Sequence, residues 1–473
     1  MRFDVLVVGG GTAGCVLAAR LSEQPDRRVC LLEAGPDYGP LADGRWPPEM
    51  VDGRRMPWTH SWGEGGEDEQ SLGARIIGGC SAHNACVMVE GSPADYDEWG
   101  GEWEYERFSP FLDRARTTLR TAERNTDLPG PFYGAILDAA DAAGVARLAD
   151  ADDPPEPVGI ATCPVNLVDG TRWNTAFAYL DPARARPNLS ITDATLVDRV
   201  LLDGSRAVGV VSADGRRFDA DTVILAAGAY LSPAVLWRSG IGPASELTRH
   251  GIDVVAPLPV GERLLDHFGS SVAWMPSAQL EQALSAHERE HGLYELHLVL
   301  KAASTSCAPG TWDIHVIPSA RWSEELGRHE VRAVFFHMKP LSTGRLRLGS
   351  TDPAALPIVE RGFFSQAEDL TPVLEALELA RTLAATAPLS TLLSGELRPG
   401  DDEPERFLRE TSSSYFHPAG TCAIGEVVDS DCRVLGIDGL LVVDASIMPT
   451  IPRANTNLTT AAIAERIATT LGS

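Results

Sequence analysis

The period of the apolar positions changes several times along the 473 residues, and each change marks an element. Phe3 to Val8 (FDVLVV) is a short apolar run rich in β-branched residues, which predicts a strand buried on both faces, as in a parallel sheet. Cys15 to Leu21 then carries an apolar helical face, and Arg28 to Leu32 is a second buried strand. Pro36 to Gly73 reads mostly as loop, and charged helical segments follow around 105–125 and 133–144. The first of these, Glu106 to Arg124, is arginine-rich and expected on the surface. Asp150 to Pro157 is an acidic, Pro-bearing break. From Leu189 the chain turns β-rich, and Asp-Gly pairs at 203–204 and 214–215 predict a meander that returns to a core strand at Thr222 to Ala227. Residues 268–400 mix strands and helices. Leu440 to Asp444 predicts another buried strand and Leu458 to Leu471 a closing helix.

These elements predict an α/β protein (α+β overall) with a Rossmann-like nucleotide-binding domain that is discontinuous in sequence. Its parts are 1–150, 151–267 and 401–473, and 268–400 supplies most of a substrate-binding domain. Chemistry is expected where the two meet.

Gly9-Gly10-Gly11-Thr12-Ala13-Gly14 fits G-x-G-x-x-G through Gly9, Gly11 and Gly14, directly after the first strand and at the opening of the first helix. Such glycines allow a tight turn and close backbone approach to a pyrophosphate, which the helix N-terminus attracts. Glu33 ends the second strand 19 residues beyond Gly14, where a carboxylate can accept both ribose hydroxyls of an adenosine. The fingerprint alone leaves FAD and NAD open.

Composition narrows the field of partners. Asp and Glu outnumber Lys and Arg 66 to 40, a formal charge of −26 that disfavours nucleic acid and anionic membranes and permits a cationic solute. No apolar run reaches membrane-spanning length, and the apolar strand begins too soon after Met1 for a signal peptide, so a cytoplasmic protein is expected. The eight cysteines form no Cys-x-x-Cys pair and no zinc-like cluster with His, so neither a metal nor a disulfide framework is expected.

Several separated stretches resemble the glucose–methanol–choline (GMC) oxidoreductases from end to end. They are Glu33-Ala34-Gly35-Pro36, the glycine-rich loop Arg75 to Asn84, the signature Gly228 to Pro233 continuing to Gly242, Val260 to His267, His417 to Thr421, Val443 to Ser446, and Asn455-Thr456-Asn457. The resemblance implies FAD as the cofactor and oxidation of a small-molecule alcohol, with oxygen or another acceptor reoxidising the flavin. It implies His417 as the base, suited to proton transfer near neutral pH. It also implies a His or Asn partner about forty residues later. Spacing to Leu458-Thr459-Thr460 assigns that partner to Asn457, which would orient the substrate oxygen, and leaves Asn455 as a turn residue. Gly79 and Asn84 fall on the flavin-covering loop, Val197 on the adenine contact, and Asp444 and Ala445 on the ribityl and pyrophosphate contacts. The run Gly78 to Cys86 is similar to the choline oxidase branch of the family, which implies a covalent bond from His83 to the FAD 8-methyl carbon. Ala85 departs from that branch, which carries a Ser there.

Alcohol oxidation is the leading expectation. A flavin-containing lyase of the hydroxynitrile lyase type, a photodecarboxylase-like relative and a non-catalytic flavin carrier are the alternatives. Trp274, Trp312 and His337 are candidate pocket residues of the middle block. Net charge and the choline-oxidase-like loop lean toward a polar or cationic alcohol such as an amino sugar.

Overall fold

In the computed structural model of the chain, which describes residues 2–54, 56–63, 72–123, 130–152, 158–293 and 297–472, the first strand runs Arg2–Val8 and the second Val29–Leu32. Val5 to Val8 and all four residues of the second strand are buried, as expected of apolar runs without alternation. They pair in parallel through the crossover helix Thr12–Leu21. The sheet runs Leu189–Thr192, Val29–Leu32, Arg2–Val8, Arg217–Leu225, Arg206–Ser212, Val197–Asp203, with Leu440–Val442 also pairing on Arg217–Leu225.

The long strand Arg217–Leu225 shares one edge between two partners. Its first residues take the antiparallel hairpin strand Arg206–Ser212, and Val223 to Leu225 take Leu440–Val442 in parallel. Both hairpin turns fall at the predicted Asp-Gly pairs, where Gly204 and Gly215 have φ of 59° and 85°. The meander itself begins later than expected. Leu189–Thr192 pairs in parallel with Val29–Leu32 and belongs to the nucleotide-type half of the sheet.

A second, antiparallel sheet runs Leu393–Arg398, Phe268–Pro276, Arg328–His337, Ile314–Ser323, Leu298–Ala302, Gly159–Thr162, with Ser413–Ser414 also pairing on Phe268–Pro276. It thus borrows strands from outside the predicted 268–400 block on both sides. Alternation divides its residues cleanly. Phe268, Trp274, Val331 and Phe335 pack with Val373 and Leu377 of the helix Leu370–Ala385. Ile317, Val334 and Phe336 project from the opposite face.

The charged helix expected over Glu106 to Arg124 runs Tyr105–Thr118, and Arg124 lies outside the described residues, as do 153–157 of the acidic break. The closing helix is Thr456–Gly472, starting two residues before the predicted Leu458. It packs on the first helix, where Arg20 Nη2 donates to the fully buried Glu465 at 2.8 Å and Tyr179 Oη donates to the same carboxylate at 3.0 Å. No helix among the described residues is long and apolar enough to cross a membrane.

Candidate active site

The C-terminal ends of the parallel strands open onto a cavity of about 980 Å³, bounded on its other side by the inner face of the antiparallel sheet. Val8 and Gly9, Leu32 to Ala34, and Ala226 to Ala229 form its floor. The first helix begins at Gly11 with no side-chain cap, so its first-turn N–H groups face the cavity as anion donors. The glycine-rich loop closes over this turn. A Cβ on Gly79 would lie 2.6 Å from Gly11 Cα, so the two backbones meet this closely only because residue 79 is glycine. Gly228 has nothing within 4 Å of a Cβ position and opens onto the same space.

Gly9, Gly11, Glu33, Gly79, His83, Asn84, Val197, Asp444 and Ala445 all line this one cavity, although they come from five separated stretches of sequence. Gly14 does not. It is buried where helix meets strand, and a Cβ there would lie 1.8 Å from the Gly9 carbonyl oxygen, so its task is close packing of the helix on the turn. Glu33 accepts from Gly10 N at 2.7 Å and from Gly35 N at 2.8 Å, and burial pushes its carboxyl up to about 7. Asp444 accepts from Gly228 N, Ser232 Oγ and Ser446 N at 2.6–2.9 Å, tying the second signature to the third nucleotide segment. Asn84 Oδ1 accepts from Cys86 N, and burial lowers His83 to about 4. The residues present therefore fit a dinucleotide: an uncapped helix N-terminus, a glycine cradle and an acidic strand end beside one elongated space.

His417 sits on the far wall, buried, with both ring nitrogens engaged. Nδ1 lies 2.9 Å from His267 Nδ1, and Nε2 lies 3.1 Å from Asn455 Nδ2. An amide nitrogen only donates, so neutral His417 accepts at Nε2 and carries its proton on Nδ1, donated to His267. Burial lowers His417 to about 3 and holds His267 well below the ordinary histidine value. Asp266 steadies the loop. Its Oδ1 accepts from His417 N at 3.1 Å, its Oδ2 accepts from Ser414 Oγ, and Arg361 lies 3.5 Å away. Tyr415 stacks on Phe336 at 3.7 Å between ring centroids and lies 4.3 Å from the His417 ring.

The asparagine in contact with the His417 ring is thus Asn455, whereas spacing selects Asn457. Because the closing helix starts at Thr456, Asn455 immediately precedes it and faces His417. Asn457, one residue inside, turns toward the first helix, where it accepts from Thr12 Oγ1 at 2.8 Å and donates to Met88 Sδ. Asn455 Oδ1 is buried with no hydrogen-bond partner among the described residues, a free acceptor beside His417.

None of Trp274, Trp312 and His337 lines the cavity. Trp274 packs on the helix-covered face, Lys301 lies 4.1 Å over the Trp312 ring, and His337 bonds Asp313 O and Asp369 Oδ1. Sequence reasoning did not single out Asp266 and His267, although both stand in the Val260 to His267 motif. The available signal was that an Asp-His pair closes that motif just before a buried strand.

The fold and the site define an FAD-dependent oxidoreductase acting on CH–OH groups. Residues 3–269 and 340–464 match the GMC oxidoreductase family models for its N- and C-terminal parts, and the chain belongs to that family. It is 32% identical to the mitochondrial choline dehydrogenase of Mus musculus, over 99% of this chain and 89% of that protein. It is 31% identical to the oxygen-dependent choline dehydrogenase of Brucella anthropi, over 97% of this chain and 93% of that one. Among solved structures, the pyridoxine 4-oxidase from Mesorbium loti superposes with a TM-score of 0.86 at 27% identity, covering 100% of this chain and 99% of its own.

Proposed function

We propose that the chain oxidises a small polar alcohol to the aldehyde or ketone, with His417 as base and Asn455 orienting the substrate oxygen. The observation that carries this is the 3.1 Å contact between Asn455 Nδ2 and His417 Nε2 on the wall of the dinucleotide cavity. A hydroxyl inserted there donates its proton to Nε2 and accepts from the amide, so both groups act on one oxygen. Bound FAD supplies the acceptor for the hydride that leaves the carbinol carbon with the electron pair. As His417 takes the proton, its Nδ1–H stays donated to His267, which stabilises the imidazolium in the orientation that received it. The closing helix presents Thr456, Asn457 and Thr460 to the cavity, and its N-terminal dipole favours negative charge developing on a ring held there.

The test is anaerobic mixing of the holoenzyme with a panel of primary and secondary alcohols, choline among them because the relatives bear its name. Bleaching of the flavin with one aldehyde or ketone formed per flavin is expected. Absence of bleaching by every alcohol, with cyanide released from a cyanohydrin, would replace this reading with the lyase. Admitting oxygen afterwards sorts oxidase from dehydrogenase by whether the colour returns unaided.

His83 is the proposed attachment point of the FAD 8-methyl carbon. It lines the cavity, and burial keeps its imidazole neutral and nucleophilic at working pH. Acid precipitation of the holoenzyme is expected to leave the yellow colour in the pellet, and His83→Ala to release it. Colour wholly in the supernatant of the unaltered protein rules the linkage out.

A further inference from the structure

The acidity of the whole chain is not the charge that the described residues of its cavity present. Against a formal −26 for the protein, the described residues of the cavity lining include five arginines, Arg238, Arg321, Arg332, Arg361 and Arg398, and two carboxylates, Glu33 and Asp444. Both carboxylates belong to the nucleotide floor, where Arg238 also lies, donating to the carbonyl and carboxylate of Asp198 next to Val197. Arg361 is held at the base of the site by Tyr230 Oη and Asp266. The other three share one patch on the inner face of the antiparallel sheet.

That patch follows from strand register. Arg321 stands opposite Glu330, and Ala273 is flanked by Arg332 on one side and Arg398 on the other. Alternation puts Glu330, Arg332, Val334 and Phe336 on the same face of one strand. Glu330 is fully buried and accepts from Arg321 Nε at 2.7 Å and from Arg398 Nη2 at 3.1 Å, while Arg332 Nε donates to Ser319 Oγ at 2.8 Å. One carboxylate thus organises a group of three guanidiniums. Burial opposes ionisation of Glu330, yet Arg321, Arg398 and Arg332 together hold it below the usual carboxylate range. The wall between this patch and Tyr415 is apolar or hydroxylic, with Ile317, Val334, Phe336 and Ser271. From Phe336 beside the base to Arg332 is four residues of extended chain, about 13 Å.

Resting on the reading of this cavity as an alcohol-oxidising site, we propose that its substrate carries an oxyanion, a carboxylate or a phosphate, at the end remote from the carbinol, received by Arg332, Arg321 and Arg398. A guanidinium matches either group with two parallel N–H donors. A quaternary ammonium in the same place would meet three guanidiniums against the one buried carboxylate of Glu330. The length of the apolar wall asks for a spacer of several atoms between alcohol and anion. The acidic exterior repels such a substrate in general, while the half-exposed Arg321 and Arg398 mark the opening at which it is attracted.

The test uses one benzylic alcohol in four forms: unsubstituted, and with a para carboxylate, phosphate or trimethylammonium. Anaerobic flavin reduction gives the apparent Kd and limiting rate for each. At least tenfold tighter binding of the carboxylate or phosphate than of the neutral parent is expected, with the trimethylammonium form weakest. Arg332→Gln and, as a second variant on the more exposed side, Arg398→Gln are expected to reduce the anion-to-neutral preference about tenfold. Equal or tighter binding of the trimethylammonium form, or a preference untouched in both variants, overturns the proposal. If no alcohol reduces the flavin, the reaction assignment fails, and the charge preference is read instead from perturbation of the flavin spectrum by 4-methylbenzoate, 4-methylphenyl phosphate and 4-methyl-N,N,N-trimethylanilinium. There, a spectral change from either anion and none from the cation sustains the oxyanion site, and the reverse ends it.

Discussion

His417→Ala is expected to lower the limiting rate of flavin reduction by an alcohol by about 10²–10⁴-fold, the usual worth of a placed general base. Its FAD content should be retained, because no nucleotide-side residue depends on that ring. The Nε2 lone pair is the group at issue. It is aimed by two partners, since Asn455 donates to it and His267 receives the proton on the opposite nitrogen. The acid limb of the pH profile carries the same information. Burial lowers His417 to about 3, so the neutral base persists far below the ordinary histidine range, and kcat/KM assigned to it should hold through pH 6 and fall only in strong acid. The sign of the linked stability effect follows. Between about 6.5, the ordinary value, and about 3, the unfolded chain binds a proton at this position that the folded chain does not, so stability falls as pH drops through that window. His417→Ala removes this contribution, and its urea midpoint should depend less steeply on pH between 6 and 4. A variant that reduces flavin at the original rate would strip His417 of its role.

His267 lets His417 act as the proposed base despite so low a proton affinity. The ring is fully buried and receives the Nδ1 proton, so an imidazolium at His417 would keep its partner. Two neutral histidines sharing one proton also fix the tautomer, which a solvent-facing ring would not. Asp266 reaches the same loop through the main chain, and Arg361 and Ser414 take its second oxygen. Geometry at the base is therefore set largely by the segment that ends the Val260 to His267 motif.

The nucleotide half was legible because its signals are local. Each buried strand announces itself as an apolar run, and Gly14 is forced locally by the Gly9 carbonyl, although Gly9 and Gly10 answer to Ala226 and Ile77 from distant segments. The substrate half was not, because its decisive facts are cross-strand. The arginine patch gathers residues 321, 332 and 398 through register, and no spacing along the chain relates them. Trp274 and His337 were candidates on residue type, but strand parity turns them to the helix-covered face, and the choice of face depends on a register the sequence does not display. Leu189–Thr192 was read as meander for a similar reason. Its composition suits either sheet position, and only its pairing with Val29–Leu32 decides.

The two asparagines stand two residues apart, one on His417 and the other on Thr12, and they yield the second large effect. Asn455→Ala is expected to slow flavin reduction by about 10²–10³-fold, the loss typical of a donor aimed at a developing oxyanion. Asn457→Ala should cost far less in that rate and should act instead on FAD retention. Asn455 stands before the first turn of the closing helix with Nδ2 at the base and Oδ1 buried and free. Asn457 is spent on Thr12 at the start of the nucleotide helix and on Met88. Asn455→Asp is the informative companion, because it keeps the shape but replaces the donor by an acceptor whose negative charge opposes alkoxide formation. It should reduce flavin no faster than Asn455→Ala, although its partner His417 gains an opposite charge. Stopped-flow reduction by one alcohol across the three variants, with FAD occupancy measured on each, decides the matter. A larger loss in the rate for Asn457→Ala than for Asn455→Ala would return the oxygen-orienting role to the position that spacing alone selects.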